Sequence, residues 1–145
     1  MANLHAMPMT AAENIPPSVV VKTNNAGIDF GVKKCGNNAS TDIPFGIAQN
    51  WTEGAPGTPF DTGYAASTGK RIMVWAAGAT AVAAVQLQGG NLPAGSLVGP
   101  NAASEIVPVT SGWAVGYLLE AGSLTQRWRL RVYVHPVRLT TGSTS

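Results

Sequence analysis

Asp61-Thr62-Gly63 has the residue order that carries the catalytic carboxylate of aspartic proteases. One copy would serve if two chains paired, because that mechanism needs two carboxylates sharing a proton. The surroundings argue against it. Residues 54–60 form a Gly/Pro loop rather than a buried strand, and Tyr64 stands where a small residue is expected. An Asx-type turn is the plainer reading of the tripeptide. His5 and His135 lie far apart, and neither has a carboxylate at metal-ligand spacing, so no metal site is expected. Cys35 follows Lys33 and Lys34, two charges that could lower its pKa, but no histidine sits nearby to use the thiolate. No glycine-rich motif has the strand-to-helix setting of a phosphate cradle. Asn38-Ala39-Ser40 and Asn50-Trp51-Thr52 fit the glycosylation pattern, yet no secretory signal precedes them. The expectation is a protein without catalysis and without a cofactor.

Composition directs attention to structure instead. Of 145 residues only 11% are charged, against about 25% in a typical soluble domain. Seventeen Gly and ten Pro, with many Ala, Thr, Ser and Asn, take the place of Lys and Glu. That composition argues against a helical bundle, a coiled coil and a charge-driven disordered tail. The single cysteine excludes an internal disulfide framework, and no stretch approaches the roughly 20 apolar residues of a membrane span. A net charge of +2 is too mild to imply nucleic acid. The simplest reading is a soluble protein of a reducing compartment.

Residues 1–17 carry no evident periodicity, and Pro8, Pro16 and Pro17 interrupt them. They read as an extended N-terminal arm, able to reach roughly 55 Å at about 3.3 Å per residue. Residues 18–139 read as one β domain and 140–145 as a flexible C-terminal tail. Short β-rich runs begin at Val19-Val20-Val21, at the alternating Ile28, Phe30 and Val32, and at Ile43. Residues 51–69 read as one long loop of the kind that is functional or mobile. Strands are expected at 71–75, 106–109, 113–119 and 127–135, and residues 76–87 are assigned to strand rather than helix because their flanks are β. No exact internal repeat is visible. The fold class is all-β: a compact sandwich or barrel-like domain of short antiparallel strands.

The last strand has two unlike faces. Trp128, Leu130, Val132 and Val134 point one way, into a core; Arg127, Arg129, Arg131, Tyr133 and His135 point the other. Like charges about 7 Å apart repel, so something must hydrate or neutralise them. Solvent, an acidic partner strand, a protein partner and phosphate remain open, and seven acidic residues in the whole chain do not guarantee internal pairing. Trp75, Trp113 and Trp128 are expected in the core; Trp51, at the start of the long loop, is the tryptophan best placed for a contact.

The run Leu92-Pro93-Ala94-Gly95-Ser96-Leu97-Val98, then Trp113-Ala114-Val115-Gly116-Tyr117-Leu118-Leu119-Glu120-Ala121-Gly122, then the strand ending Val132-Tyr133-Val134-His135-Pro136, resembles the head decoration proteins of tailed bacteriophages. The similarity covers the last third to half of the chain. It implies a capsid cement protein: a compact β protein, often a homotrimer, on the outer surface of the virion head, made in the host cytoplasm and bound to the major capsid protein. Its role would be to brace the head against DNA pressure, with the N-terminal arm making shell contacts. On that reading the partner-interface candidates are Pro8, Ile15, Pro16, Pro17, Trp51, Arg127, Arg129, Arg131 and Tyr133, with no direct nucleic acid and no membrane. A tail or fibre component is the second structural reading. A phosphate- or glycan-binding module using Arg127, Arg129 and Arg131 is the third.

Overall fold

A computed structural model describes residues 6–23, 28–38, 40–50, 64–86, 90–124 and 130–139. These residues form twelve strands: β1 (Ala6–Ala11), β2 (Val20–Thr23), β3 (Gly31–Lys34), β4 (Gly46–Ala48), β5 (Arg71–Ala76), β6 (Thr80–Ala83), β7 (Asn91–Leu92), β8 (Leu97–Pro100), β9 (Ile106–Pro108), β10 (Gly112–Leu118), β11 (Gly122–Ser123) and β12 (Leu130–Leu139). The all-β class holds, with a closed barrel and antiparallel sheets; the β1–β3 pairing alone among the described strands is parallel. β1, β3, β2, β4 and β5 close into a small barrel, and β6, β12, β10, β8 and β9 form an open sheet beside it. A short β7–β11 ladder makes a third element.

Residues 6–17 are not an arm outside this domain. β1 pairs antiparallel with β5 from Ala6 to Thr10 and parallel with β3 at Thr10 and Ala11, which closes the barrel. Met9, Ala11 and Ile15 are buried in the barrel interior, with Met7 packed against it. Pro8 is accommodated because it lies opposite Met73 of β5, before the pairing with β3 begins, so its missing N–H leaves no ladder bond unmade.

Two cores share a wall. Val19 and Val21 face the barrel interior, while Val20 joins the core between barrel and sheet. Ala48 and Ile47 of β4 divide in the same way. Three consecutive buried valines thus mark a strand covered on both faces rather than an alternating one. From the open sheet Ala81, Ala83, Val98, Val115, Val132 and Val134 complete the second core. Residues 80–83 are strand, as expected, and their alanines let β6 approach it closely.

Other expectations need adjustment. Of Ile28, Phe30 and Val32, only Val32 enters the core. Residues 29 and 30 turn, with the Gly31 N–H donating to Ile28 O, and Phe30 is left 68% exposed at a φ of 56°. The last strand continues past His135 to Leu139. It does so through a bulge, where His135 and Pro136 oppose the single Val115. Trp75 and Trp113 are half-buried; Trp51, Trp128 and the Asp61-Thr62-Gly63 tripeptide lie outside the described residues.

Removal of residues 1–11 is therefore expected to unfold the barrel, not to trim an appendage. Thermal or urea unfolding of the truncated chain should lose its cooperative transition or shift it far downward; an unchanged transition would mean that β1 is dispensable.

Candidate interaction surfaces

The outward face of β12 is built by its pairing with β10. Tyr133 lies opposite Tyr117 and the two rings meet at 5.3 Å with their planes at 43°. Gly116, beside Tyr117, is required by close approach: a Cβ there would collide with the Tyr133 carbonyl oxygen. One turn of chain later Gly122 packs under Leu130, whose side chain occupies the space a Cβ would need. The two glycines of the decoration-like segment thus sit where β10, the corner after it and β12 press together. Arg131 reaches Glu120 at 3.9 Å across this corner. Both side chains are more than 60% exposed, so the pair contributes about 0–1 kcal/mol and leaves the arginine available to a partner.

Beside this face runs the outer edge of β6. Val134 N–H donates to Ala79 C=O, and the register then turns residues 81 and 83 toward β12. Thr80 and Val82 must present their N–H and C=O groups to the other side. Ala84 confirms the parity, since its N–H leaves the sheet to meet Ser18 C=O at 2.8 Å. Among the described residues, neither Thr80 nor Val82 has a backbone partner on that outer side. A cleft of about 190 Å³ lies there, walled by Ala48, Trp75, Ala81 and Val82. It shares Asn50 and Val82 with a wider, open depression of about 690 Å³ that ends at Glu120, Leu130 and Arg131. The result is a continuous groove along an unpaired strand, apolar at the Trp75 end and charged at the Arg131 end.

A charged cluster stands behind β2 and β3. Lys22 Nζ donates to Asp42, whose other oxygen accepts the Asn38 N–H at 3.0 Å. Burial pulls the Asp42 carboxyl upward, but the Lys22 hydrogen bond and charge and the N–H groups of Asn38 and Gly36 outweigh it and hold the group below its ordinary value. The Cys35 thiol is not activated by the adjacent Lys33 and Lys34. Burial, reinforced by the Asp42 charge and only partly offset by Lys22, pushes its pKa up to about 12, so it stays protonated at neutral pH.

The sequence-derived interface candidates do not gather in one place. Pro8 is exposed on β1 and Pro16 is partly covered, whereas Ile15 and Pro17 are buried and face the protein's own interior. Arg131 and Tyr133 share the outward face of β12, with His135 exposed on the same strand. Trp51, Arg127, Arg129 and His5 lie outside the described residues. The β6 edge was missed, because alternate alanines carry no sign of which edge of a strand is left unpaired. Among the described residues no three His, Cys, Asp or Glu side chains converge as a metal site would require.

No protein-family model matches the chain, and no curated protein matches it. Among solved structures, the N base of head fiber gp8.5 of bacteriophage phi29 aligns with a TM-score of 0.45 at 13% identity, covering 88% of this chain and 92% of that one.

Two outcomes follow from these contacts. Gly116→Ala should cost about 1–3 kcal/mol in denaturant unfolding, because the carbonyl it strikes belongs to a paired strand. For Asp42 the depressed carboxyl stabilises the fold above the ordinary carboxylate value of about 4, and that contribution is lost as pH falls through the folded value. Asp42→Asn should flatten the acid limb of the stability–pH curve; an unchanged limb would place the acid sensitivity elsewhere.

Proposed function

We propose that this chain is a structural protein of a tailed-phage virion, a decoration or cement protein that binds the outer surface of the head and braces it against the pressure of packaged DNA. The observation that carries the reading is the unpaired outer edge of β6 with its groove from Trp75 to Arg131. An edge that offers N–H and C=O groups in register is matched by another extended backbone, so the occupant is a strand of a partner protein. The resemblance of the C-terminal half to head decoration proteins supports the major capsid protein as that partner.

Magnitudes set the terms of this binding. Thr80 and Val82 offer about four backbone hydrogen bonds, worth about 2–6 kcal/mol together at the usual 0.5–1.5 each. That alone corresponds to weak attachment, and the apolar Trp75 end of the groove must contribute as well. A homo-oligomer, with a trimer favoured, would raise occupancy further by engaging several sites at once. The small neutral surface left by the low charge content suits such contact, since interface cores are depleted in Lys, Glu and Asp. The role is non-enzymatic and the contacts lie on the outside of the shell. Residues 6–11 have no part in reaching the shell as an arm, because they are consumed in closing the barrel.

The phosphate-binding alternative rests on the arginine row, of which Arg127 and Arg129 lie outside the described residues, and it would show as affinity falling steeply with salt. A tail or fibre location would show as co-purification with tails.

The test is binding of the purified chain to expanded heads that lack it, alongside Val82→Pro. Proline there removes an outward donor while leaving residues 81 and 83 to pair with β12. Wild type should saturate the heads, and Val82→Pro should need at least about tenfold more protein, the effect of losing about 1.4 kcal/mol, with unfolding unchanged. Failure of wild type to bind heads would contradict the virion reading; equal binding by the variant would contradict the β6 edge.

A further inference from the structure

Away from the β6 groove, a second depression of about 330 Å³ opens where the loop after β3 meets the turns flanking β9 and β10. That volume lies at the lower end of the range for small-molecule sites. Its wall holds Asn37, Asp42, Asn101, Thr110, Ser111 and Trp113.

The polar groups are not loosely arranged. Asn101 Oδ1 accepts the N–H of Ala103 at 2.8 Å and of Glu105 at 2.9 Å, so its own loop fixes the orientation of the amide. The carbonyl oxygen is spent on the turn, and Nδ2 is left with two donors and no partner among the described residues. Asp42 is held ionised by Lys22 and Asn38. A carboxylate has about four lone-pair sites, so it keeps acceptor capacity after these bonds. Thr110 and Ser111 are exposed hydroxyls that serve either way, and half-buried Trp113 is the aromatic residue of the wall among the described residues.

We propose that this groove binds a neutral saccharide. A pyranose ring has an apolar face that lies against an aromatic side chain and a rim of hydroxyls that each donate and accept; the groove offers an indole, fixed donors, a fixed acceptor and two hydroxyls. Other ligand classes fit worse. An anion would face the ionised Asp42, and Lys22, the cation at that point, is already engaged by it. An extended peptide would find no free donor row on neighbouring β9: Ile106 is bonded to residues 84 and 86, and Pro108 has no N–H. An apolar ligand would leave the Asn101 donors unmatched, at a cost of about 1–3 kcal/mol for a buried group. The site is separate from the arginine row and independent of how the chain attaches to a partner.

The experiment is a nitrogen-15 NMR titration of the full chain with the methyl glycosides of glucose, galactose, mannose and N-acetylglucosamine, each taken to about 50 mM to reach the weak affinities expected of single rings. At least one should move the Asn101 side-chain amide, the Trp113 indole N–H and the amides of residues 110–112 in a saturable way. Asn101→Asp keeps an oxygen for the two turn bonds and removes the donors, so it should weaken that binding at least tenfold. Trp113→Leu, which removes the stacking face but keeps apolar bulk, is the second variant and should do the same. Silence from all four glycosides, shifts confined to another face, undiminished binding in the folded variants, or saturation of the same signals by inorganic phosphate would each overturn the proposal.

Discussion

Strand β2 has no solvent side along its first residues, and much of the molecule is organised around that fact. Val19 and Val21 belong to the barrel, Val20 to the core beneath the open sheet, and each fully buried valine is worth about 1.5–3 kcal/mol relative to exposure. Ser18, just before them, takes a left-handed φ of 65°, gives its N–H to Gln49 and receives the Ala84 N–H. One residue thereby ties the barrel to the edge of the open sheet. Gln49 adds a second tie within the barrel, since its side chain donates to Ala65 and accepts from Met73. Neither core could lose this wall without exposing the other.

Barrel closure decides which surfaces remain for partners. A closed ring of strands has no edges, and here the last gap is filled by β1 bonding to β3 and β5. In the open sheet, β9 is sealed by the Ile106 bonds and by Pro108. Among the described residues β6 is the edge of that sheet left open, and it lies beside a half-buried tryptophan and opens toward a charged corner. In a chain with so few charges, that edge is guarded by neither lysine nor proline, two of the usual devices against strand pairing. The same shortage of charge leaves the Asp42 and Asn101 groove as an isolated polar feature, built by turns rather than by strands.

Much of the fold could be read in the residues. Turn chemistry at Gly and Asn, the alternation of Leu130, Val132 and Val134, and the β-branched run before Lys22 correctly indicate strands and a β core. The N-terminal segment misled because three prolines draw attention away from a weaker signal. Met7, Met9 and Ala11 alternate, and they are the residues that β1 turns toward the barrel interior. Phe30 misled in the other direction: its spacing fits a strand, but a local turn with positive φ throws it into solvent. Cys35 shows why neighbours in sequence are poor guides to electrostatics, since its burial outweighs two adjacent lysines. The β6 edge and the polar groove were illegible for a common reason. Both depend on which backbone groups are left over after long-range pairing, and that is fixed by topology rather than by residue type.

These elements assemble into one account of a small β protein with few charges, whose β6 edge is open among the described residues and is proposed to receive a strand of another chain. The most direct measurement is an electron cryo-microscopy reconstruction of phage heads saturated with the full chain. The account predicts density for the domain on the outer shell, with a strand of a neighbouring protein lying along Thr80–Ala83 in the groove that runs from Trp75 to Arg131. Heads without added density, or a bound domain whose β6 edge faces solvent, would contradict it.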